Sequence, residues 1–118
     1  MANEVASAIV NMFIRASPEQ ICCLIDKHGL LESLSHIIKS FDDQKQKILS
    51  AIFKVLKTGH KNSVKEAGLV EIIEGLANNS GALSLKAKYL LQYLSMIEKY
   101  GQDLPDMLKY YQIIFGIN

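Results

Sequence analysis

The sequence has few cysteines, and the two that it contains stand side by side. Cys22 and Cys23 lie in the apolar run "ICCLI". Neighbouring cysteines are poor disulfide partners, so we expect two reduced thiols that pack as small hydrophobic residues. The spaced Cys and His ligands that a zinc site requires are missing. No metal site and no cofactor are therefore expected.

Long apolar runs and a strong net charge are also missing. The longest apolar runs, such as "GLL" and "YLL", are too short to cross a bilayer, and "MANEVASAIV" lacks the basic cluster of a signal peptide. Thirteen basic side chains face twelve acidic ones, so no global charge attracts nucleic acid or anionic lipid. We expect neither as a partner and place the chain in the cytoplasm and/or the nucleus.

No catalytic pattern is visible. The chain has no glycine-rich phosphate loop and no serine in a nucleophile-elbow context. His28, His36 and His60 are expected at helix ends or on polar faces, and Asp42 and Asp43 are expected to cap a helix. The sequence therefore predicts no catalytic residues and a protein that is not an enzyme.

The sequence contains one short motif, or phrase, that occurs twice. Residues 26–34 read "DKHGLLESL" and residues 65–73 read "KEAGLVEII". Glycine at the end of a helix can adopt the left-handed conformation that other residues avoid. The phrase thus predicts a tight corner at Gly29 and at Gly68, each between a short helix and a longer one.

A third helix follows each corner, and its apolar positions recur three times along the chain. Shifts of 43 and 41 residues align "EVASAIVNMF", "KILSAIFKVL" and "KYLLQYLSMI". The aligned triplets are Val5, Ile48, Tyr89; Ala6, Leu49, Leu90; Ile9, Ile52, Tyr93; Met12, Val55, Met96; and Phe13, Leu56, Ile97. Apolar residues at this helical spacing in three copies indicate an internal repeat of about 40 residues.

The predicted fold is an all-α, armadillo/HEAT-like right-handed α-solenoid segment of about two and a half three-helix repeats. Ser17-Pro18-Glu19-Gln20 is expected to start the first short helix with a capping box. A single domain, 1–118, would hold a lone third helix (about 3–15), full repeats (18–57 and 60–100) and a C-terminal helix (about 103–115). We interpret this last helix as a cap on the terminal face of the stack. The alternative is an exposed apolar helix that awaits a partner.

Residues 4–95 resemble the later armadillo repeats of importin alpha, the adaptor for nuclear localisation signals. The matching features are "AI-N" at 8–11, "EQI" at 19–21, the "GLLE-L" corner and "ILSAI" at 48–52. The resemblance implies that the third helices line a concave groove. In that family, tryptophan and asparagine one turn apart hold a basic peptide in this groove.

Only one position of this tryptophan and asparagine ladder is kept in the chain. Asn11 matches the asparagine, but Ser7 stands in place of the tryptophan, and the chain has no tryptophan at all. The equivalent pairs are Ser50 and Lys54, then Leu91 and Ser95. Lysines 47, 54, 57, 86 and 88 are expected to form a solvated face that disfavours a basic peptide. The candidate groove residues are Ser7, Asn11, Lys47, Ser50, Lys54, Leu91 and Ser95.

The resemblance implies a protein-binding adaptor that contacts a partner protein rather than forming the main site for nuclear localisation signals. An export receptor or an importin-beta-type protein is the implied partner. The alternatives are an armadillo scaffold of another pathway, which binds a non-basic peptide or helix, and a self-associating repeat piece. For the last, Val5, Ile9, Val10 and Phe13 are the candidate interface of a homodimer through the N-terminal helix.

Overall fold

The computed structural model describes residues 2–101 and 105–116, without the side chains of 105–107. These residues form eight α-helices and one short 3-10 turn at Asp42–Gln44, with no strand among them. The helices are α1 (Asn3–Arg15), α2 (Pro18–Asp26), α3 (Leu30–Ser40), α4 (Lys45–Lys57), α5 (Lys61–Glu66), α6 (Leu69–Ala77), α7 (Ala82–Tyr100) and α8 (Pro105–Phe115). The fold class is all-α, and the predicted start of the last helix at residue 103 lies outside the described residues.

Local side-chain chemistry starts α2 as predicted. The hydroxyl of Ser17 accepts from the backbone N–H of Gln20 at 3.2 Å. The Gln20 side chain in turn accepts from the backbone N–H of Ser17 at 2.8 Å. This reciprocal capping box is confirmed, and it satisfies two donors that the first helical turn leaves free.

The start of α4 is different from the prediction. Neither Asp42 nor Asp43 caps the helix with its side chain. Asp42 pairs with Lys45 at 2.8 Å, and that ammonium group lowers the pKa of the carboxyl. Asp43 accepts instead from the side-chain amide of Asn3 at 3.2 Å, which links α1 to the turn before α4. The expected N-cap was wrong because both carboxylates have other partners.

Both corners have the predicted backbone. Gly29 has a φ of 59° and Gly68 a φ of 74°, and each lies directly before the next helix. A Cβ added at either position would meet no heavy atom within 4 Å. The glycines are therefore required by their left-handed backbone and not by crowding.

The centre of the molecule is α4. It lies between α1 and α7 and packs against both, while α3 packs against α1 and α4, and α6 packs against α7. The short helices α2 and α5 pack against α3 and α6 respectively. Seven apolar side chains of α4 are at most 1% exposed: Ile48, Leu49, Ala51, Ile52, Phe53, Val55 and Leu56. Neighbours therefore cover α4 on most sides.

The last helix, α8, packs across α4 and α7. The Phe115 ring stacks on Phe53 with ring centroids 4.7 Å apart, and Tyr111 lies 5.1 Å from Tyr93. The hydroxyl of Ser50 donates to the backbone carbonyl of Phe115 at 3.0 Å. The helix therefore joins two of the aligned helices, which a cap confined to the end of the stack would not do.

Candidate binding surfaces

The predicted groove residues are spread over α1, α4 and α7, and α8 covers the middle of the set. Ser50 is buried beneath α8, where it binds the Phe115 carbonyl. Ser7, Asn11 and Leu91 are half-buried. Ser95 and Lys47 are exposed. The structure thus places these side chains along the three aligned helices, but α8 occupies the position where Ser50 would meet a bound peptide.

Two of the lysines form structural contacts, which corrects the expectation of a solvated face. The ammonium of Lys54 donates to the backbone carbonyl of Ile14 at 2.5 Å, in the last turn of α1. Lys86 donates to the Gln46 carbonyl of α4 at 3.2 Å. Burial lowers the pKa of both lysines. Lys54 thus joins α4 to α1, and Lys86 joins α7 to α4, because a long side chain can cover apolar surface and still reach a backbone carbonyl of the neighbouring helix.

Of the four residues of the predicted N-terminal interface, the structure buries Val10 and Phe13, leaves Val5 exposed and half-buries Ile9. Val10 and Phe13 are fully buried, so they cannot form a free interface. With Ala6 they lie at i, i+4 and i+7, on the face of α1 that joins the core beside α3 and α4. Val5 and Met12 are 51% and 46% exposed. We name Val5, the half-buried Ile9 and Met12 the N-terminal apolar surface.

The aligned positions show how unusual this exposure is. In α4 the equivalents Ile48, Ile52 and Val55 are fully buried. In α7 they are Tyr89, Tyr93 and Met96, which α8 covers through Tyr110 and Tyr111. Neighbouring helices therefore cover these aligned side chains in α4 and α7. In α1 the aligned residues Val5 and Met12 are exposed.

A cleft of about 650 Å³ lies beside the N-terminal apolar surface. Met12, Leu24 and Leu30 supply apolar walls, while Arg15 and His28 supply basic groups. The cleft lies among α1, α2 and the start of α3, so an inserted side chain would contact all three helices. It therefore extends the N-terminal apolar surface to α2 and α3.

A second group of exposed apolar side chains is distributed over α7 and α8. Leu85, Tyr100, Tyr110 and Ile113 are each at least half exposed, and Ile113 reaches 81%. We name these four residues the C-terminal apolar surface. The sequence allowed an exposed apolar C-terminal helix as the alternative to a cap, but it did not identify these four residues. The signal was available in "YYQIIF", which places apolar residues on both sides of that helix.

The cysteines are also placed differently from the prediction. Cys22 and Cys23 are both exposed and free, so neither packs as a core residue. The Cys23 thiol lines the cleft beside Met12, whereas the Cys22 sulfur lies 3.3 Å from Nε2 of His60. Consecutive helical residues point in directions about 100° apart, which separates the two thiols.

Among residues 2–101 and 105–116, without the side chains of 105–107, no three His, Cys, Asp or Glu side chains come together in a way that could hold a metal ion. No helix in the same ranges is both long and apolar enough to cross a membrane. Comparison with protein-family models, curated proteins and solved structures finds no match for this chain.

Proposed function

We propose that this chain is an armadillo-type α-solenoid segment that acts as a protein-binding adaptor or scaffold, and that it is not an enzyme. The observation that carries the proposal is where its exposed apolar residues lie. Within the described part of the chain, every large and well-exposed hydrophobic side chain is on α1, α7 or α8. Exposed patches of this kind mark interaction sites in soluble proteins.

Several features support the solenoid arrangement. The aligned helices α1, α4 and α7 lie in one row, with α4 between the other two. Corners of left-handed glycine separate the short and the longer helix in each predicted repeat. In such a stack each unit covers its apolar face against its neighbours, so the two end units are left with open faces. The two apolar surfaces lie on the first helix and the last two.

The finer proposal follows the resemblance to importin alpha. We propose that the partner is a protein, such as an export receptor or an importin-beta-type protein, and that nuclear localisation signals bind elsewhere. Ser7 replaces the expected tryptophan, and Ser50 binds the Phe115 carbonyl of α8. Both features oppose a peptide held along these helices. Cytoplasm and nucleus are the compartments that fit such a role.

Site-specific photo-crosslinking in cell extract tests the adaptor function. A photo-reactive amino acid at Met12 should form crosslinks to a helical protein, because this position is apolar and open. The same group at Glu71, an exposed position on α6, is the matched control. Adding Val5→Asp should remove the Met12 crosslink. Equal crosslinking from both positions, or none from Met12, would refute the proposal.

Calorimetry with a lysine-rich nuclear-localisation peptide tests the finer proposal. We expect weak binding or none at physiological salt, since the ladder is incomplete and Lys47 repels a basic peptide. Micromolar binding would show that the groove is a signal site after all. This result would leave the crosslinking outcome unaffected.

The second candidate is self-association, and it is favoured by the presence of an apolar surface at each end. The N-terminal apolar surface of one copy could pack on the C-terminal apolar surface of another. Because these surfaces differ, such a contact would be head-to-tail and could continue beyond a dimer. The predicted symmetric homodimer would instead pair two copies of α1.

A further inference from the structure

A thiol and an imidazole meet on the side of the molecule formed by α2 and the corner between α4 and α5. The Cys22 sulfur lies 3.3 Å from Nε2 of His60, although the residues are 38 positions apart. Cys22 is exposed, and His60 directly precedes α5. An imidazole nitrogen at this distance can accept the thiol proton, and the thiolate is the nucleophilic form of cysteine.

A separate cleft of about 330 Å³ borders the same elements, and it is lined by Pro18, Lys57, Thr58 and Gly59. Pro18 lies one helical turn before Cys22, so both side chains project from the same face of α2. Gly59 directly precedes His60 in the chain. The cleft is thus bordered by the two elements that supply the Cys22–His60 contact, α2 and the corner after α4, and Lys57 gives its wall a positive charge.

We propose that Cys22 is a modification site for small anionic disulfides, with His60 as its base and the Lys57 cleft as the seat of the attached group. His60 takes the proton of the thiol, and the Cys22 thiolate attacks one sulfur of the disulfide. A new bond forms between Cys22 and that sulfur while the original S–S bond breaks. The second half leaves as a thiolate and takes up a proton from the imidazolium or from water.

The neighbouring thiol provides an internal control. Cys23 is also exposed, but it lines the cleft beside Met12 and has no imidazole partner among the described residues. Exposure and sequence context are thus shared, and each thiol has a cationic side chain near it, Lys57 for Cys22 and Arg15 for Cys23. What distinguishes Cys22 is the imidazole within hydrogen-bond distance of its sulfur. The proposal involves no residue of either apolar surface, so it can fail or succeed independently of the adaptor function.

The test measures the rate of disulfide exchange in Cys22→Ala and Cys23→Ala, each of which leaves one thiol. With the anionic reagent dithionitrobenzoate, Cys22 should react about tenfold faster than Cys23, since only the Cys22 sulfur has an imidazole within hydrogen-bond distance to take its proton. His60→Asn in the Cys23→Ala background should reduce this rate to that of Cys23. Asparagine is a good N-cap residue, so α5 is kept, and circular dichroism verifies the fold. His36→Asn, at an exposed position on α3, is the matched control and should change nothing.

The charge of the disulfide tests the role of the cleft. In the folded protein, dithionitrobenzoate should react faster with Cys22 than cationic cystamine does, relative to the same ratio in guanidinium chloride, and Lys57→Gln should remove this preference. In guanidinium chloride the two cysteines should become equivalent. Equal rates for the two thiols in the folded protein would overturn the proposal. A Cys22 rate that is unchanged in His60→Asn would also overturn it, as would a charge preference that survives Lys57→Gln.

Discussion

Gly68 and Gly75 are seven positions apart and differ in backbone conformation. Gly68 has a φ of 74° at the corner before α6, whereas Gly75 lies inside α6 without a positive φ. A Cβ added at either position meets nothing within 4 Å. The pair therefore separates the conformational preference of glycine from any effect of packing.

Substitution by alanine should change stability in opposite directions at these two positions. Gly68→Ala should lower the free energy of unfolding by about 1 kcal/mol, because alanine avoids the left-handed region. Gly75→Ala should raise it by up to about 1 kcal/mol, because alanine is the better helix former. Urea denaturation of both variants measures the difference. Equal effects of the same sign would contradict the assigned corner.

Tyr93 predicts a loss of stability at alkaline pH. Burial, helped by the neighbouring Tyr111, raises the pKa of Tyr93 to about 12, above its ordinary value of 10. The fold therefore favours the protonated phenol. This contribution is fully present below pH 10 and is lost as the pH rises through about 12.

The matched variant is Tyr93→Phe, which keeps the ring contact with Phe53. Below pH 10 its free energy of unfolding should lie close to that of the parent protein. Above this pH the parent should lose stability more steeply, by up to about 2–3 kcal/mol for a shift of two pKa units. Parallel curves for the two proteins across the alkaline range would show that Tyr93 does not titrate with a raised pKa.

At the scale of elements, α8 is held by one face only. Tyr111 and Phe115 are buried against α4 and α7, and the Tyr111 hydroxyl donates to the Gln92 side chain at 2.8 Å. The ring of Phe115 also lies beneath the Lys86 ammonium, 5.6 Å from its centroid. The opposite face carries Ile113. The helix is therefore anchored by two aromatic side chains one turn apart.

Removal of the second anchor should be costly, while removal of the exposed isoleucine should not. Phe115→Ala should lower the free energy of unfolding by about 3 kcal/mol, since it empties a site between two helices. Ile113→Ala should change it by less than about 0.5 kcal/mol. Hydrogen exchange of α8 amides in Phe115→Ala should accelerate more than exchange in α4. Similar stability losses in the two variants would mean that α8 is not anchored through Phe115.

At the scale of the whole molecule, both ends of the helix row present apolar side chains. Purified chain at high concentration should therefore associate, and sedimentation velocity should show a sedimentation coefficient that increases with concentration. Met12→Asp and Ile113→Asp should each reduce association, because they place a charge at opposite ends. Lys47→Asp, at an exposed site on α4, is the control.

A mixture of the two end variants distinguishes the modes of contact. In a head-to-tail contact, Met12→Asp retains an intact C-terminal apolar surface and Ile113→Asp retains an intact N-terminal one. Mixing the two variants should therefore restore heterodimers. Assemblies of three or more copies should not form. A symmetric contact between two α1 helices would be insensitive to Ile113→Asp. A strictly monomeric parent protein would leave the apolar ends to other partners and exclude self-association.

The sequence by itself determined the features that depend on a few adjacent residues. The capping box at Ser17 and the left-handed corners at Gly29 and Gly68 follow from backbone and side-chain chemistry within one turn. The apolar spacing predicted helices and thereby the all-α class. These interactions involve residues close together in the chain, so they can be predicted from the sequence without the tertiary structure.

Only the tertiary structure decided which of these apolar faces are covered. The spacing in α1 fits both Val10 and Met12 to an apolar face, yet the first is buried and the second is open. Lys54 and Lys86 reach carbonyls 40 positions back, and Ser50 meets Phe115 65 positions ahead. Such contacts depend on how the helices stack. Whether a side chain is buried depends on which helix packs against it, and not on the apolar spacing of its own helix.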